Sequence, residues 1–251
     1  MSPASIASMG TAQLAAGLFL AAMALVGARG VASGGHEVRE LEGWKVRVDR
    51  RLLEGADAAR GERAMELLRA RLVAIAVVVP EEALARLRAV TIQLDRDVPG
   101  LTAMQYHPSA EWLESHGYAR ELAKCVHIPN VDDFLSPFEN HRMPWVVLHE
   151  LAHAYHDQVL GFDEPRIAAA WETFRAKEST LEVLTSPGGT REHYARTNPQ
   201  EFFAEMTESY FGSNDFYPFV AGELEHSEPA TFALLATLWG PLPGRHRPAA
   251  K

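Results

Sequence analysis

The chain has 251 residues, of which 47% are hydrophobic and 23% charged, and this is enough for one packed core. Its formal net charge is -9 and it contains no basic tract, which argues against nucleic-acid binding. The single cysteine, Cys125, excludes an internal disulfide and a zinc–thiolate cluster. It lies in a stretch typical of a buried strand, so we expect a core cysteine rather than a catalytic nucleophile.

The N-terminal segment has the character of an export signal. Residues 14–28 are uncharged, apolar and rich in small residues, but the run is shorter than the roughly 20 residues of a comfortable membrane span. Ala28 and Ser33 offer cleavage sites. Residues 1–13 contain no Lys or Arg, so an uncleaved anchor or a misplaced start codon stays open. We predict a signal peptide or N-terminal anchor over residues 1–33, and a secreted, periplasmic or cell-envelope protein.

Hydrophobic periodicity predicts strands first and helices later. A linker is expected over residues 34–43, and strands are predicted at 44–52, 89–97 and 124–129. Helices are predicted at 61–80, 109–118, 143–160, 164–180, 199–212 and 228–240, with a loop over 186–198. Ser109 and Asn198 are N-cap candidates, and Pro144 and Gly161 bound the central helix. This order favours an α+β fold, with a small mixed or antiparallel sheet beside a helical layer.

The predicted helix 143–160 carries His149-Glu150-Leu151-Ala152-His153, the H-E-x-x-H pattern. Four residues are about 400° of helix, so the imidazoles lie about 40° apart and about 6 Å along the axis, and both can reach one ion. Glu150 lies beside them, where it can hold a water but not act as a third ligand. Apolar flanks argue against a surface helix. We predict His149 and His153 as zinc ligands and Glu150 as the base that takes a proton from water.

The third ligand is not expected on the same helix. His156 lies on nearly the same face as His149, but seven residues are about 10.5 Å of rise, too far for both to share an ion with bonds of about 2 Å. We expect His156 and Asp157 to support the edge of the site or to cap the helix end, where a cationic histidine is favoured.

Two carboxylates on the predicted helix 199–212 are better candidates. Glu201 and Glu205 lie four residues apart, bordering an apolar face, and carboxylates in such surroundings need a partner. One would ligate the ion, and the other would accept the N–H of a ligating histidine. The alternative is a solvated helix edge that carries Glu201, Glu205 and Glu208.

With both segments in view, the chain resembles the gluzincin metallopeptidases, and more narrowly the catalytic domain of anthrax lethal factor and the clostridial Pro-Pro endopeptidases. The matching residues are HELAH (149–153), EFFAE (201–205) and Tyr194, within about residues 124–212. The resemblance implies that Glu201 is the third zinc ligand, that Glu205 lies behind a histidine and that Tyr194 stabilises an oxyanion. It also implies a strand along the substrate cleft, for which residues 125–129 are the candidate.

Together these features predict a single zincin-like metallopeptidase domain over residues 34–251 with one Zn²⁺ per chain. The predicted function is a zinc-dependent endopeptidase acting on a peptide or protein substrate, with Glu150 and Tyr194 as catalytic residues. The alternatives are a zinc-containing binding or assembly protein without turnover, a structural metal site, and hydrolysis of a non-peptide substrate. No nucleic-acid partner is expected, and a membrane tether is expected only through residues 14–28.

Overall fold

A computed structural model describes residues 35–244 of the chain. The predicted export segment therefore lies outside the described residues. Between residues 35 and 244, no helix combines the length and the apolar character that crossing a membrane requires.

The described residues form a five-stranded sheet, a small two-stranded hairpin and ten α-helices. The strands of the large sheet are β1 (His36–Leu41), β2 (Trp44–Asp49), β3 (Thr91–Leu94), β4 (Gln105–Tyr106) and β5 (Cys125–Ile128). The hairpin consists of β6 (Val183–Leu184) and β7 (Thr190–Arg191). The helices are α1 (Ala58–Val78), α2 (Glu81–Arg88), α3 (Ala110–Ser115), α4 (Val131–Phe134), α5 (Pro137–Arg142), α6 (Val146–Tyr155), α7 (Pro165–Arg175), α8 (Pro199–Phe211), α9 (Ala221–Ser227) and α10 (Pro229–Leu238).

The large sheet is mixed, with the strand order β1-β2-β3-β5-β4. Its three central strands, β2, β3 and β5, run parallel, and the two edge strands, β1 and β4, pair antiparallel with their neighbours. Parallel neighbours need a crossover connection, which α1 and α2 supply between β2 and β3. A mixed sheet with a layer of helices confirms the predicted α+β class.

One face of the sheet forms the hydrophobic core. Val46, Ile92 and Val126 lie in register across the three parallel strands, and all three are fully buried. Helix α1 adds Leu68 and Leu72 to the same core. The alternation of apolar and charged residues in β2 therefore reports a strand with one buried face, as the sequence predicts. Cys125 is buried in β5, which confirms its assignment as a core cysteine.

The opposite face of the sheet carries a buried polar cluster around Asp95. This carboxylate lies 2.8 Å from His127 Nε2 and 2.7 Å from His36 Nε2, and it accepts a 2.8 Å hydrogen bond from Gln93. Burial acts to raise the pKa of Asp95, but the hydrogen bonds with His127 and His36 outweigh it and lower that pKa. The cluster thereby ties edge strand β1 to the centre of the sheet.

The predicted linker over residues 34–43 is wrong, because β1 occupies most of it. β1 pairs antiparallel with β2, and a two-residue loop connects them. The loop residues, Glu42 and Gly43, have φ angles of 53° and 88°. Positive φ at both positions is the geometry of the tight hairpin turns that match the twist of the strands. The charged residues of β1 obscure the alternation of apolar and polar positions that would predict a strand.

The single helix predicted over residues 143–160 is also corrected. Pro144 lies before the helix instead of in its first turn, because α6 begins at Val146 with Trp145 as its N-cap. After Tyr155 the helix continues as one π-helical turn, His156–Leu160, and ends at Gly161 with φ of 85°, as predicted. The predicted loop 186–198 contains β7 and a short 3₁₀ turn, Tyr194–Arg196.

Helix α8 is buried along nearly its whole length. Every residue from Glu201 to Phe211 is buried, with α6 and α10 among the helices packed on it. Trp239, directly after α10, stacks on Phe203 with ring centroids 5.6 Å apart and donates to Thr207 Oγ1 at 3.0 Å. Trp239 also stacks on Tyr155 of α6, with ring centroids 4.0 Å apart, so this one ring fixes α8 relative to α6, on which the candidate site depends.

The first prediction concerns the junction of α8 and α6 at Gly212. A Cβ at this position would overlap the Trp145 ring, so Gly212→Ala should lower the free energy of unfolding by about 1–3 kcal/mol. The matched control is exposed Gly222 in α9, which has nothing within 4 Å of a Cβ. Gly222→Ala should raise the free energy of unfolding by up to about 1 kcal/mol. Urea titration of both variants tests the pair, and equal effects would contradict the close contact.

Candidate metal centre

Helices α6 and α8 bring together the two segments that the sequence singles out. Asn198 caps α8 by accepting the backbone N–H of Glu201 at 2.8 Å, and Pro199 occupies the first position, as predicted. The cap places Glu201 in the first turn of α8. In α6, His149 and His153 lie on the side that packs against α8. All three predicted ligands therefore face one another.

The side chains of the three candidate ligands converge on one small volume. Glu201 Oε2 lies 3.2 Å from His149 Nε2 and 3.5 Å from His153 Nε2. The imidazole rings are 4.8 Å apart between centroids and inclined at 79°. The ligand atoms lie within 4.8 Å of one another, so one ion could contact all three.

The chemistry of these residues fits a zinc ion. The side chain of Glu201 is 0% exposed, and its Oε1 has no hydrogen-bond partner among the described residues. Burial acts to raise the pKa of Glu201, but the nearby His153 and His149 lower it to about 2, so the carboxylate is ionised. Two imidazole nitrogens and one carboxylate oxygen are the donor set of a catalytic zinc site with an open fourth position.

Glu150 is held by the edge strand of the sheet. Its Oε2 accepts the backbone N–H of Tyr106 in β4 at 2.6 Å, and the carboxylate is buried. Burial raises the pKa of Glu150 above its usual value. Because the Tyr106 N–H points to Glu150, the pair Tyr106–Val126 is a non-hydrogen-bonded pair of the antiparallel ladder. The Tyr106 carbonyl therefore also points away from β5, toward the free edge.

The strand predicted along the cleft, residues 125–129, does not lie at an edge of the sheet. β5 lies inside the sheet, between β3 and β4, so both of its edges are already paired. The edge strand on this side of the sheet is β4, which has two residues, too few for a detectable periodicity. An extended ligand could pair only with β4 at this edge.

A side-chain contact fixes β4 to the end of the H-E-x-x-H helix. The Tyr106 hydroxyl donates to Asp157 Oδ2 at 2.6 Å and accepts from Gln158 Nε2 at 3.1 Å. Asp157 and Gln158 belong to the π-helical turn that extends α6. Asp157 thus supports the edge of the site, as the sequence analysis expects.

His156 does not act as a cationic cap, in contrast to the sequence expectation. Its side chain lies in the core, with ring centroids 5.1 Å from those of Phe162 and Phe203. Burial lowers the pKa of His156 to about 3, so the ring is neutral at physiological pH. The π-helical turn carries it into the core instead of leaving it at an exposed helix end.

Tyr194 lies near the candidate metal ligands, and its side chain is partly exposed to solvent. It is 39% exposed and begins the 3₁₀ turn that packs against α8. Burial, with the nearby charge of Glu201, raises the pKa of Tyr194, so its hydroxyl stays protonated and can donate. The preceding residue, His193, is buried against Phe216, and its Nδ1 accepts the Ala195 N–H at 3.1 Å. Sequence reasoning missed His193, which anchors the turn.

The assignment of the carboxylate behind the histidine also needs correction. His149 Nδ1 lies 2.7 Å from Glu208 Oε1, a hydrogen bond, but 3.8 Å from Glu205 Oε1. Glu208 therefore makes the contact expected of Glu205. Glu201, Glu205 and Glu208 are all buried, so they do not form the solvated edge considered as an alternative. In the sequence, the seven-residue spacing of Glu201 and Glu208 already places both side chains on nearly the same face of the helix.

Comparison of the chain with protein-family models, curated proteins and solved structures finds no match. The function proposed below therefore depends on the residues of the site themselves.

The second prediction tests how β4 is fixed to the helix end. Tyr106→Phe removes the donor to Asp157 and should lower the free energy of unfolding by about 1.5–3 kcal/mol, the usual range for a hydrogen bond to a charged group. Asp157→Asn and the double variant complete a double-mutant cycle. A coupling energy near zero, measured by urea unfolding, would show that the contact does not hold β4 in place.

Proposed function

We propose that the protein is a zinc-dependent endopeptidase of the gluzincin type, with a zincin-like arrangement of its sheet and helices. The observation that carries this proposal is the convergence of His149, His153 and Glu201, with buried Glu150 adjacent on the same helix. A closed structural zinc site would have four protein ligands, whereas these three leave a position for water or substrate.

The residues around the ion would divide the work of peptide hydrolysis. When bound, zinc supplies a Lewis acid that polarises the scissile carbonyl and acidifies the attacking water. Glu150 takes the proton from that water and returns it to the leaving amine. The Tyr194 hydroxyl donates a hydrogen bond to the developing oxyanion. The raised pKa of Tyr194 favours this role, because the donor stays protonated.

The edge strand suggests a peptide as substrate. The Tyr106 carbonyl at the free edge of β4 can accept a backbone N–H from an extended chain, as in other cases of strand addition. Glu150 accepts a hydrogen bond from the N–H of Tyr106, so a chain paired with β4 would lie beside this proposed base.

The third prediction concerns the metal. The purified protein should carry about one zinc per chain, because three ligands define one site. Glu201→Ala should lose most of it, since only the two imidazoles remain. Glu81→Ala, at an exposed glutamate of α2, is the control and should keep the zinc. Elemental analysis measures all three proteins, and wild-type protein that neither carries nor takes up zinc would refute the proposal.

The fourth prediction concerns the reaction. Glu150→Gln should keep the zinc but lose cleavage of a diverse peptide library, because an amide cannot take the proton. Tyr194→Phe should keep the zinc and slow turnover on the order of 100- to 1,000-fold, the usual effect of removing one oxyanion donor. Mass spectrometry of the library identifies the products. Zinc-loaded wild-type protein that cleaves nothing would favour a binding protein, and unchanged turnover in Tyr194→Phe would remove Tyr194 from the mechanism.

A further inference from the structure

We infer that Glu208 is the positioning residue that holds His149 in the orientation required for metal binding. This inference rests on the proposed zinc site and identifies a residue that the sequence resemblance does not assign. The resemblance places the supporting carboxylate four residues after Glu201, at Glu205. The contacts of the two carboxylates assign the role to the residue seven positions after Glu201.

The two nitrogens of the His149 ring have different partners. Nε2 faces Glu201 at 3.2 Å, inside the group of ligand atoms, and Nδ1 faces Glu208 at 2.7 Å. We assign the donor role in this hydrogen bond to Nδ1, with the carboxylate oxygen of Glu208 as the acceptor. Nε2 is then the nitrogen that would bind the ion, at the position where it faces Glu201. A hydrogen bond on the far nitrogen of a metal-binding histidine fixes its tautomer, orients its ring and raises its basicity.

The helix geometry explains why Glu208 reaches the ring. Seven residues are about 700° of helix, so Glu208 is offset from Glu201 by only about 20° around the axis, whereas Glu205 is offset by about 40° in the other direction. Glu205 Oε1 stops 3.8 Å from His149 Nδ1, beyond hydrogen-bond distance. Its Oε2 is 3.9 Å from His193 Nδ1, which already accepts the Ala195 N–H.

The surroundings of Glu208 make it dependent on His149. Its side chain is 3% exposed, and within residues 35–244 its only ion-pair partner is His149. Its second oxygen, Oε2, has no hydrogen-bond partner in that part of the chain. A buried carboxylate requires compensation, and here the compensation comes through the imidazole. Glu208 therefore interacts with one candidate zinc ligand, His149.

The test compares zinc affinity in four proteins by competition with a chelator. Glu208→Ala removes the acceptor and should weaken zinc binding 10- to 100-fold, the usual effect of losing such a partner. Glu208→Gln keeps an acceptor oxygen without its charge and should weaken binding less, because charge-assisted hydrogen bonds are roughly twice as strong as neutral ones. Glu205→Gln is the matched control on the same helix and should bind zinc close to the wild-type affinity.

A second readout does not depend on the metal. In protein labelled with ¹⁵N-histidine, the strongly hydrogen-bonded Nδ1–H of His149 should give a downfield proton signal. The signal should persist in Glu205→Gln and be lost in Glu208→Ala. A role of Glu208 in folding alone would not produce this selective loss or the partial recovery in Glu208→Gln. If Glu208→Ala fails to fold, the comparison of Glu208→Gln with Glu205→Gln decides.

Each outcome separates this inference from the proposed function. Zinc-binding wild-type protein with unchanged affinity in Glu208→Ala would overturn the role of Glu208 and leave the peptidase proposal standing. A larger loss in Glu205→Gln than in Glu208→Gln would return the role to Glu205. Wild-type protein without zinc affinity would refute the proposed function, and the Nδ1–H signal would still decide whether Glu208 holds His149.

Discussion

Compensation of buried charge between α6 and α8 is the constraint on which the rest of the structure depends. Two imidazoles and three carboxylates lie in a helix interface that is otherwise apolar, and each is at least nine-tenths buried. An isolated ion in such a place would be strongly unfavourable. The pairs His149–Glu201 and His149–Glu208 offset part of this cost, and a divalent cation at the ligand atoms would offset more. The relative position of α6 and α8 must therefore be fixed closely enough to keep these side chains in contact.

The surrounding fold fixes this relative position through a few polar contacts near the ends of helices and turns. Asn198 fixes the first turn of α8, Trp239 holds its middle through Thr207, and His193 anchors the turn that presents Tyr194. On the other side, Asp157 links the end of α6 to the edge strand. The Trp239 and Asp157 contacts join separate segments to α8 and α6, whereas the Asn198 and His193 contacts fix local turns. The site is therefore assembled from parts that are distant in sequence.

Local patterns predict helices α1, α3, α6, α7, α8 and α10 and the caps Ser109 and Asn198, because helical periodicity and capping chemistry depend on neighbours in sequence. They miss α2, α4, α5 and α9. The H-E-x-x-H spacing and the Asn198 cap follow from such patterns, whereas the choice of Glu201 as the residue that meets both histidines is what the resemblance implies. Edge strand β4 could not be predicted, since two residues carry no periodicity and its position depends on β5. The burial of His156 depends on a π-helical turn, for which the sequence of residues 156–160 gives no recognisable signal. The choice between Glu205 and Glu208 depends on how α8 is rotated against α6, and this is set by packing across the whole interface.

The bond between Glu150 and the Tyr106 N–H joins two parts of the site that would otherwise move independently. The proposed base, Glu150, lies on α6, whereas an extended substrate would pair with β4, which belongs to the sheet. Since Tyr106 contacts Glu150 through its N–H and Asp157 through its hydroxyl, one residue sets both the distance from strand to helix and the position of the base. A shift of β4 would therefore displace the carboxylate and the paired peptide together, which would keep their relative geometry. Proximity of this kind contributes to catalysis only where the reacting groups are held close to their productive geometry. A two-residue strand is sufficient for that purpose because its position is fixed by α6, the helix that carries the proposed base and two proposed zinc ligands.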